Sequence, residues 1–172
     1  MYNFKKVPYI IDNKIHIKKE KMEKIKLKLG DILQLDSEIN GFTNPETGEV
    51  VYHGFIRQEI SIILKYELGE MSDGLIVERK RIDSLRDELV KKYGTPENGG
   101  IVVKMYNDVK DEEGNIIGKE VNPKYIEFDD EYSTLLNQEK EIEYPTITKD
   151  DLKEAGKTKD NYKVLFKLIK KD

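Results

Sequence analysis

The chain has 172 residues, 30 basic and 34 acidic side chains, two histidines, and neither cysteine nor tryptophan. That length supports one ordinary hydrophobic core. The missing cysteines exclude disulfides, thiolate metal sites and a cysteine nucleophile, and no run of about 18 apolar residues is present to span a membrane.

Residues 1–23 read as an extended arm on a single domain, 1–172, whose core is 24–172 with a hairpin insertion at 101–121. In the arm, Val7-Pro8-Tyr9-Ile10-Ile11 is an apolar run that Pro8 confines to an edge. Lys14-Ile15-His16-Ile17-Lys18 alternates like a half-buried strand. No secretion signal is evident in the first residues. Lys24–Leu29 alternates again and is expected to end at Gly30-Asp31, with Asp31 capping a short helix. Ile32, Leu33, Leu35 and Ile39 give that helix an apolar side, and Asn40-Gly41 stops it. Asn44-Pro45 and Thr47-Gly48 punctuate a turn, and Glu49–Tyr52 is a brief strand.

The stretch about 54–94 reads as a long central helix, or a helical hairpin broken near Gly74. Leu64, Leu68, Met71, Leu75, Ile82, Leu85 and Leu89 recur with a helical period. The six from Leu68 to Leu89 are the tentative interaction residues. In heptad terms the seam is interrupted by Glu78 and Lys92, which argues against a free coiled coil and for packing on the chain's own short helices. Lys91 and Lys92 suit the negative end of the helix dipole. Gly94, read as a left-handed stop, and Pro96 close the helix. Unbroken, about 40 residues would make a rod of roughly 60 Å.

After a loop at 95–100, Ile101–Tyr106 and Ile116–Val121 read as the hairpin, joined by an acidic connection, Asp108–Asn115. Tyr125–Phe128 continues as extended chain, and Asp129 or Asp130 caps a helix through Tyr132, Leu135 and Leu136. Glu141–Tyr144 is a strand. Thr148 and Asp151 form a capping box for a short helix ending at Gly156. Thr158 or Asp160 caps a last helix with Tyr162, Leu165, Phe166 and Ile169 on one side and lysines on the other. The fold class is therefore α+β, with short helices and small antiparallel hairpins around the long helix.

Charge is segregated. Residues 1–30 carry +6, residues 157–172 carry +4, and the middle carries −14. Basic ends around an acidic middle predict pairing within the fold or between neighbouring copies. Nucleic acid is not favoured as a partner, because the ends lack arginine clusters and the whole chain is acidic.

No motif assigns a catalytic residue, a cofactor or a metal ligand. His16 and His53 lack metal-pair spacing. Asp129-Asp130 and Glu139-Lys140-Glu141 invite comparison with a small metal-dependent nuclease, yet a helix cap and the outer positions of a strand explain them more simply. Asp108–Glu120 fails the EF-hand pattern, since with Gly114 in sixth place the first ligand would be Val109. The 94–100 glycines match no phosphate-binding loop.

The helix end Arg86-x-x-Leu89-x-x-Lys92-Tyr93-Gly94 precedes a short helix with Leu135-Leu136-Asn-Gln-Glu139. The strand Glu141-Ile142-Glu143 follows, and then Asp151-Leu152. Over about 24–170 this combination resembles a group of small, mostly uncharacterised tailed-bacteriophage proteins. The resemblance implies a phage origin and a non-enzymatic role. The expected function is a structural or assembly protein acting through contacts with other phage proteins or with copies of itself, in the virion or the host cytoplasm. The alternative is an inhibitor of a host defence protein or signalling ligand.

Overall fold

The computed structural model describes residues 22–154 and 162–169. The strands expected at Val7–Ile11 and Lys14–Lys18, with His16, the helix end at Gly156 and the caps at Thr158 and Asp160 lie outside them. The elements run β1 (Glu23–Lys28), α1 (Leu29–Asn40), β2 (Gly41–Thr43), β3 (Val50–His53), α2 (Ile62–Tyr93), β4 (Thr95–Glu97), β5 (Gly100–Val102), β6 (Tyr106–Lys110), β7 (Ile116–Val121), α3 (Pro123–Leu136), β8 (Glu139–Tyr144) and α4 (Lys149–Glu154). Single 3-10 turns occupy Phe55–Arg57 and Leu165–Leu168. The class is α+β, a long helix with shorter helices and antiparallel strand pairs.

The alternating lysines of β1 find their partners at the far end of the chain. β1 pairs antiparallel with β8, setting Lys24 opposite Glu143, Lys26 opposite Glu141 and Lys28 opposite Glu139. Such opposed charges each contribute a few tenths of a kcal/mol, roughly. Lys24 reaches Glu141 at 3.1 Å and Glu143 at 3.4 Å. The bond to Glu141 is the main reason its ammonium is held above the usual lysine range. The other face puts Ile25 against Ile142. Part of the basic N-terminal charge is thus matched within the fold.

α1 begins two residues before the expected cap. Lys28 holds the cap position without a side-chain bond, and Gly30 and Asp31 lie in the first turn. There Asp31 favours the positive helix end and accepts from Lys167 at 2.7 Å. Ile32, Leu35 and Ile39 are fully buried.

The long helix starts at Ile62, later than position 54. Residues 54–60 are diverted because Gly54 crosses the end of α1 backbone to backbone, so the chain makes a 3-10 turn that buries Phe55 and then Ile60. Ser61 caps α2, its Oγ accepting from Leu64 N at 3.1 Å. From there 32 residues run unbroken through Gly69 and Gly74, about 48 Å at 1.5 Å per residue. Tertiary packing carries the helix across those glycines, for Leu68, Met71 and Leu75 are all buried. A Cβ at Gly69 or Gly74 would have no non-local atom within 4 Å. Gly69→Ala and Gly74→Ala are therefore each expected to raise stability by about 1 kcal/mol, read from urea midpoints. A loss at either site would show that the helix opens there.

At its C-terminus α2 ends on Gly94 in an extended conformation, φ −78°, not the expected left-handed one. What selects glycine is space, since a Cβ would come within 2.4 Å of Ile101 Cγ2 and 2.5 Å of Val90 O. The following stretch is no plain loop. β4 and β5 pair across Asn98-Gly99, both at positive φ, the two-residue turn that an Asn-Gly pair favours.

The second hairpin pairs β6 with β7, so its first strand is Tyr106–Lys110 in place of Ile101–Tyr106. Asp111 tightens the turn by accepting from Glu113 N at 3.0 Å and Asn115 N at 2.8 Å. This leaves Asp108 to Lys110 in the ladder, where an acidic connection was expected. α3 likewise starts earlier than Asp129. Asn122 caps it, accepting from Lys124 N at 3.1 Å, and Pro123 occupies the first turn, where its missing N–H costs nothing. Asp129 and Asp130 fall mid-helix and cap nothing. The Thr148/Asp151 capping box is present, with bonds of 2.8 Å and 3.3 Å in the two directions.

The buried apolar side chains form one cluster in which α1, α2, β1, Phe55 and the 162–169 segment meet. That last segment is a 3-10 turn, not the expected amphipathic α-helix. Tyr162, Val164, Leu165 and Leu168 are buried while Phe166 faces out. The cause is Glu38, only 1 % exposed. Its carboxylate accepts from the N–H groups of Lys163 (2.8 Å), Val164 (3.1 and 3.0 Å) and Leu165 (2.7 Å), and from Gln34 Nε2 (2.9 Å). Three consecutive amides converging on one anion fix a tight turn.

Candidate interaction surfaces

Buried polar groups are costly unless matched, and Asp36, Ser37, Asn40, Ser72 and Arg79 meet between α1 and α2. They are matched by one another. Arg79 lies against Asp36 in an ionic contact whose Nε alignment is poor for a hydrogen bond. Its Nη2 donates to Leu33 O at 3.1 Å and Ser37 Oγ at 2.7 Å. Asn40 donates to Asp36 at 2.7 Å and accepts from Ser72 at 2.8 Å. This network joins two helices.

Of the six seam residues singled out in the sequence, Leu68, Met71, Leu75 and Ile82 are buried in the chain's own core. They are not on offer to a partner. Leu85 and Leu89, one turn apart, are only half-buried and floor a groove between α2 and α3. The two charged interruptions of the seam have partners on the small elements. Glu78 pairs with Lys140 of β8. Lys92 reaches Glu131 of α3 at 2.7 Å and lies 4.7 Å from the Tyr93 ring centre. Tyr93 is itself buried and donates its hydroxyl to Glu131 at 2.8 Å. The bond from Lys92, then that from Tyr93, holds the Glu131 carboxyl below its usual range. The Lys-Tyr-Gly helix end thus anchors α3.

The α2/α3 groove has a volume of about 390 Å³, with Leu135 completing its floor and Glu88, Asp130 and Glu131 at its rim. A second cleft, about 550 Å³, lies between α2 and β8 and is lined by Glu70, Glu78, Glu141 and Glu143 with Lys140. Carboxylate-lined walls suit a cationic occupant and repel an anionic ligand. Neither cleft gathers the several lysine, arginine and tyrosine side chains that would hold an anionic signalling ligand.

The β6–β7 hairpin exposes several apolar side chains. Every residue of β7 is exposed. Ile116 is 59 % exposed, Ile117 65 % and Val121 51 %, and Tyr106 on β6 is 49 % exposed. Asn122 ties the base down, donating to Lys104 O at 2.8 Å.

The chain matches no known protein family, no curated protein and no solved structure. Its surfaces therefore have to be read from their own chemistry. Asp130 lines the α2/α3 groove and Glu141 the α2/β8 cleft, so the two carboxylates considered for a nuclease lie in different places. Among the described residues no three His, Asp or Glu side chains are grouped to hold a metal ion. His53 is exposed at the end of β3. No described helix is long and apolar enough to cross a membrane. Sequence reasoning missed Glu88 and Asp130 as groove rims. The Tyr125, Phe128, Tyr132, Leu135 spacing was a readable signal that α3 starts about two turns earlier, but it does not point to Asp130, which lies off that stripe.

Proposed function

We propose that the chain is a non-enzymatic structural or assembly protein of a tailed bacteriophage, working through contacts with other phage proteins or with copies of itself. The observation that carries this reading is the β6–β7 hairpin, whose β7 strand leaves Ile116, Ile117 and Val121 more than half exposed. Exposed apolar side chains of that kind offer contacts to a protein partner, and the open strand edge is a template for pairing with another chain. The phage assignment rests on the Arg86-x-x-Leu89-x-x-Lys92-Tyr93-Gly94 helix end and its neighbours.

The test is mass spectrometry of purified particles and assembly intermediates from a phage carrying this gene, beside sedimentation of the isolated protein. The chain is expected in one of those assemblies, and Ile117→Asp is expected to remove it without unfolding it. A strict monomer absent from particles and intermediates alike would overturn the reading.

A further inference from the structure

The apolar face of α3 is incompletely covered. No residue of the helix is fully buried, and Leu135 stands half-buried at the groove beside Thr134. Leu85 and Leu89 on α2 are half-buried too, and the space between the two helices remains open. Two helices that meet over an unfilled apolar floor leave room for a third. The rim says what charge that third element carries. Glu88 stands on the α2 bank and Asp130 on the α3 bank. Among the described residues neither side chain makes a hydrogen bond or ion pair. The larger α2/β8 cleft differs here, since Lys140 pairs with Glu78 and Lys24 with Glu141 and Glu143.

We propose that the α2/α3 groove is a docking site for a cationic amphipathic helix of a partner protein. Its leucine-like residues at i and i+4 seat against Leu85, Leu89 and Leu135, and its lysines or arginines reach Glu88 and Asp130. This deepens the assembly reading by naming the chemistry of one partner. Helix-in-groove recognition of this kind takes specificity from the spacing of the apolar anchors and register from rim charges.

The test titrates the isotope-labelled full chain with a synthetic amphipathic peptide of about 18 residues, leucine on one face and lysine on the other. A matched peptide carries glutamate in place of lysine. Amide shifts are expected to centre on residues 85–89 and 130–138, with the lysine peptide binding at least about tenfold tighter than the glutamate peptide. In the double variant Glu88→Lys/Asp130→Lys, which touches no core residue, that preference is expected to reverse. Shifts elsewhere, equal affinity for the two peptides, or an unreversed preference would each overturn the proposal. Should the titration fail while the chain is found in phage particles, the groove is wrong and the assembly reading stands. The converse result separates them the other way.

Discussion

Replacing Glu38 with alanine is expected to destabilise the protein by about 3 kcal/mol or more. The carboxylate is buried and takes four hydrogen bonds from the amides of Lys163, Val164 and Leu165. Removing it leaves three consecutive donors without an acceptor, each costing about 1–3 kcal/mol if it stays buried. The segment has an alternative, which is to leave. Detachment would expose Tyr162, Val164, Leu165 and Leu168, and would break the edge-on packing of Tyr162 against Phe55, whose ring centres lie 5.8 Å apart. Either way the loss is large. Glu38→Gln separates charge from shape. It keeps one acceptor oxygen but turns an amide donor toward the Leu165 N–H, so an intermediate loss of about 2 kcal/mol is expected. Hydrogen exchange at the three amides reads the effect locally, and urea denaturation reads it globally. Unchanged exchange at Val164 and Leu165 in the alanine variant would refute the clamp.

Glu38 also shows what a sequence hides. The alternation in Lys24–Leu29, the helical stripe from Leu64 to Leu89 and the Thr148/Asp151 cap were legible because each is a local pattern with a local cause. The 162–169 stretch has a local pattern as well, and it suggests an amphipathic helix. A carboxylate more than 120 positions away overrides it by drawing three amides into one turn. Glu78 and Lys92 looked like defects in a seam, and their roles became visible only with β8 and α3 in place. Other misses were readable. Asn98-Gly99 is a strong hairpin signal, and Asn122-Pro123 is a good helix start that Asp129-Asp130 obscured. Of the proposed interaction surface, Leu85 and Leu89 were legible in the sequence. Periodicity alone does not separate them from Leu68, Met71, Leu75 and Ile82, because a helix stripe records which side is apolar and not what covers each turn of it.

Gly54→Ala is expected to be at least as damaging, for a reason unrelated to backbone freedom. Gly54 has φ −68°, open to any residue. Its constraint is a crossing of two chains. A Cβ there would stand 2.1 Å from Ile39 O, 2.3 Å from Asn40 C and 2.3 Å from Gly41 N. All three are backbone atoms at the end of α1, so no side chain can swing aside. The facing residue is also glycine, Gly41 at φ +86°, where a Cβ would come 2.6 Å from Gly54 N. Relief requires moving β2 and β3 apart or lifting the Phe55–Arg57 turn. The second route pulls Phe55 out of the core, where it is completely buried. Overpacking usually costs about 1–3 kcal/mol, and backbone contacts on three sides put this case at the top of that range or beyond it. Phe55→Ala, at about 3–5 kcal/mol, calibrates the outcome, since both variants should loosen the same turn. The comparison that decides is with Gly69→Ala and Gly74→Ala. One substitution type, made at three glycines with negative φ, is expected to raise stability twice and collapse it once. A Gly54→Ala protein within about 1 kcal/mol of the parent would mean that α1 and the 54–60 segment do not cross as closely as this packing requires.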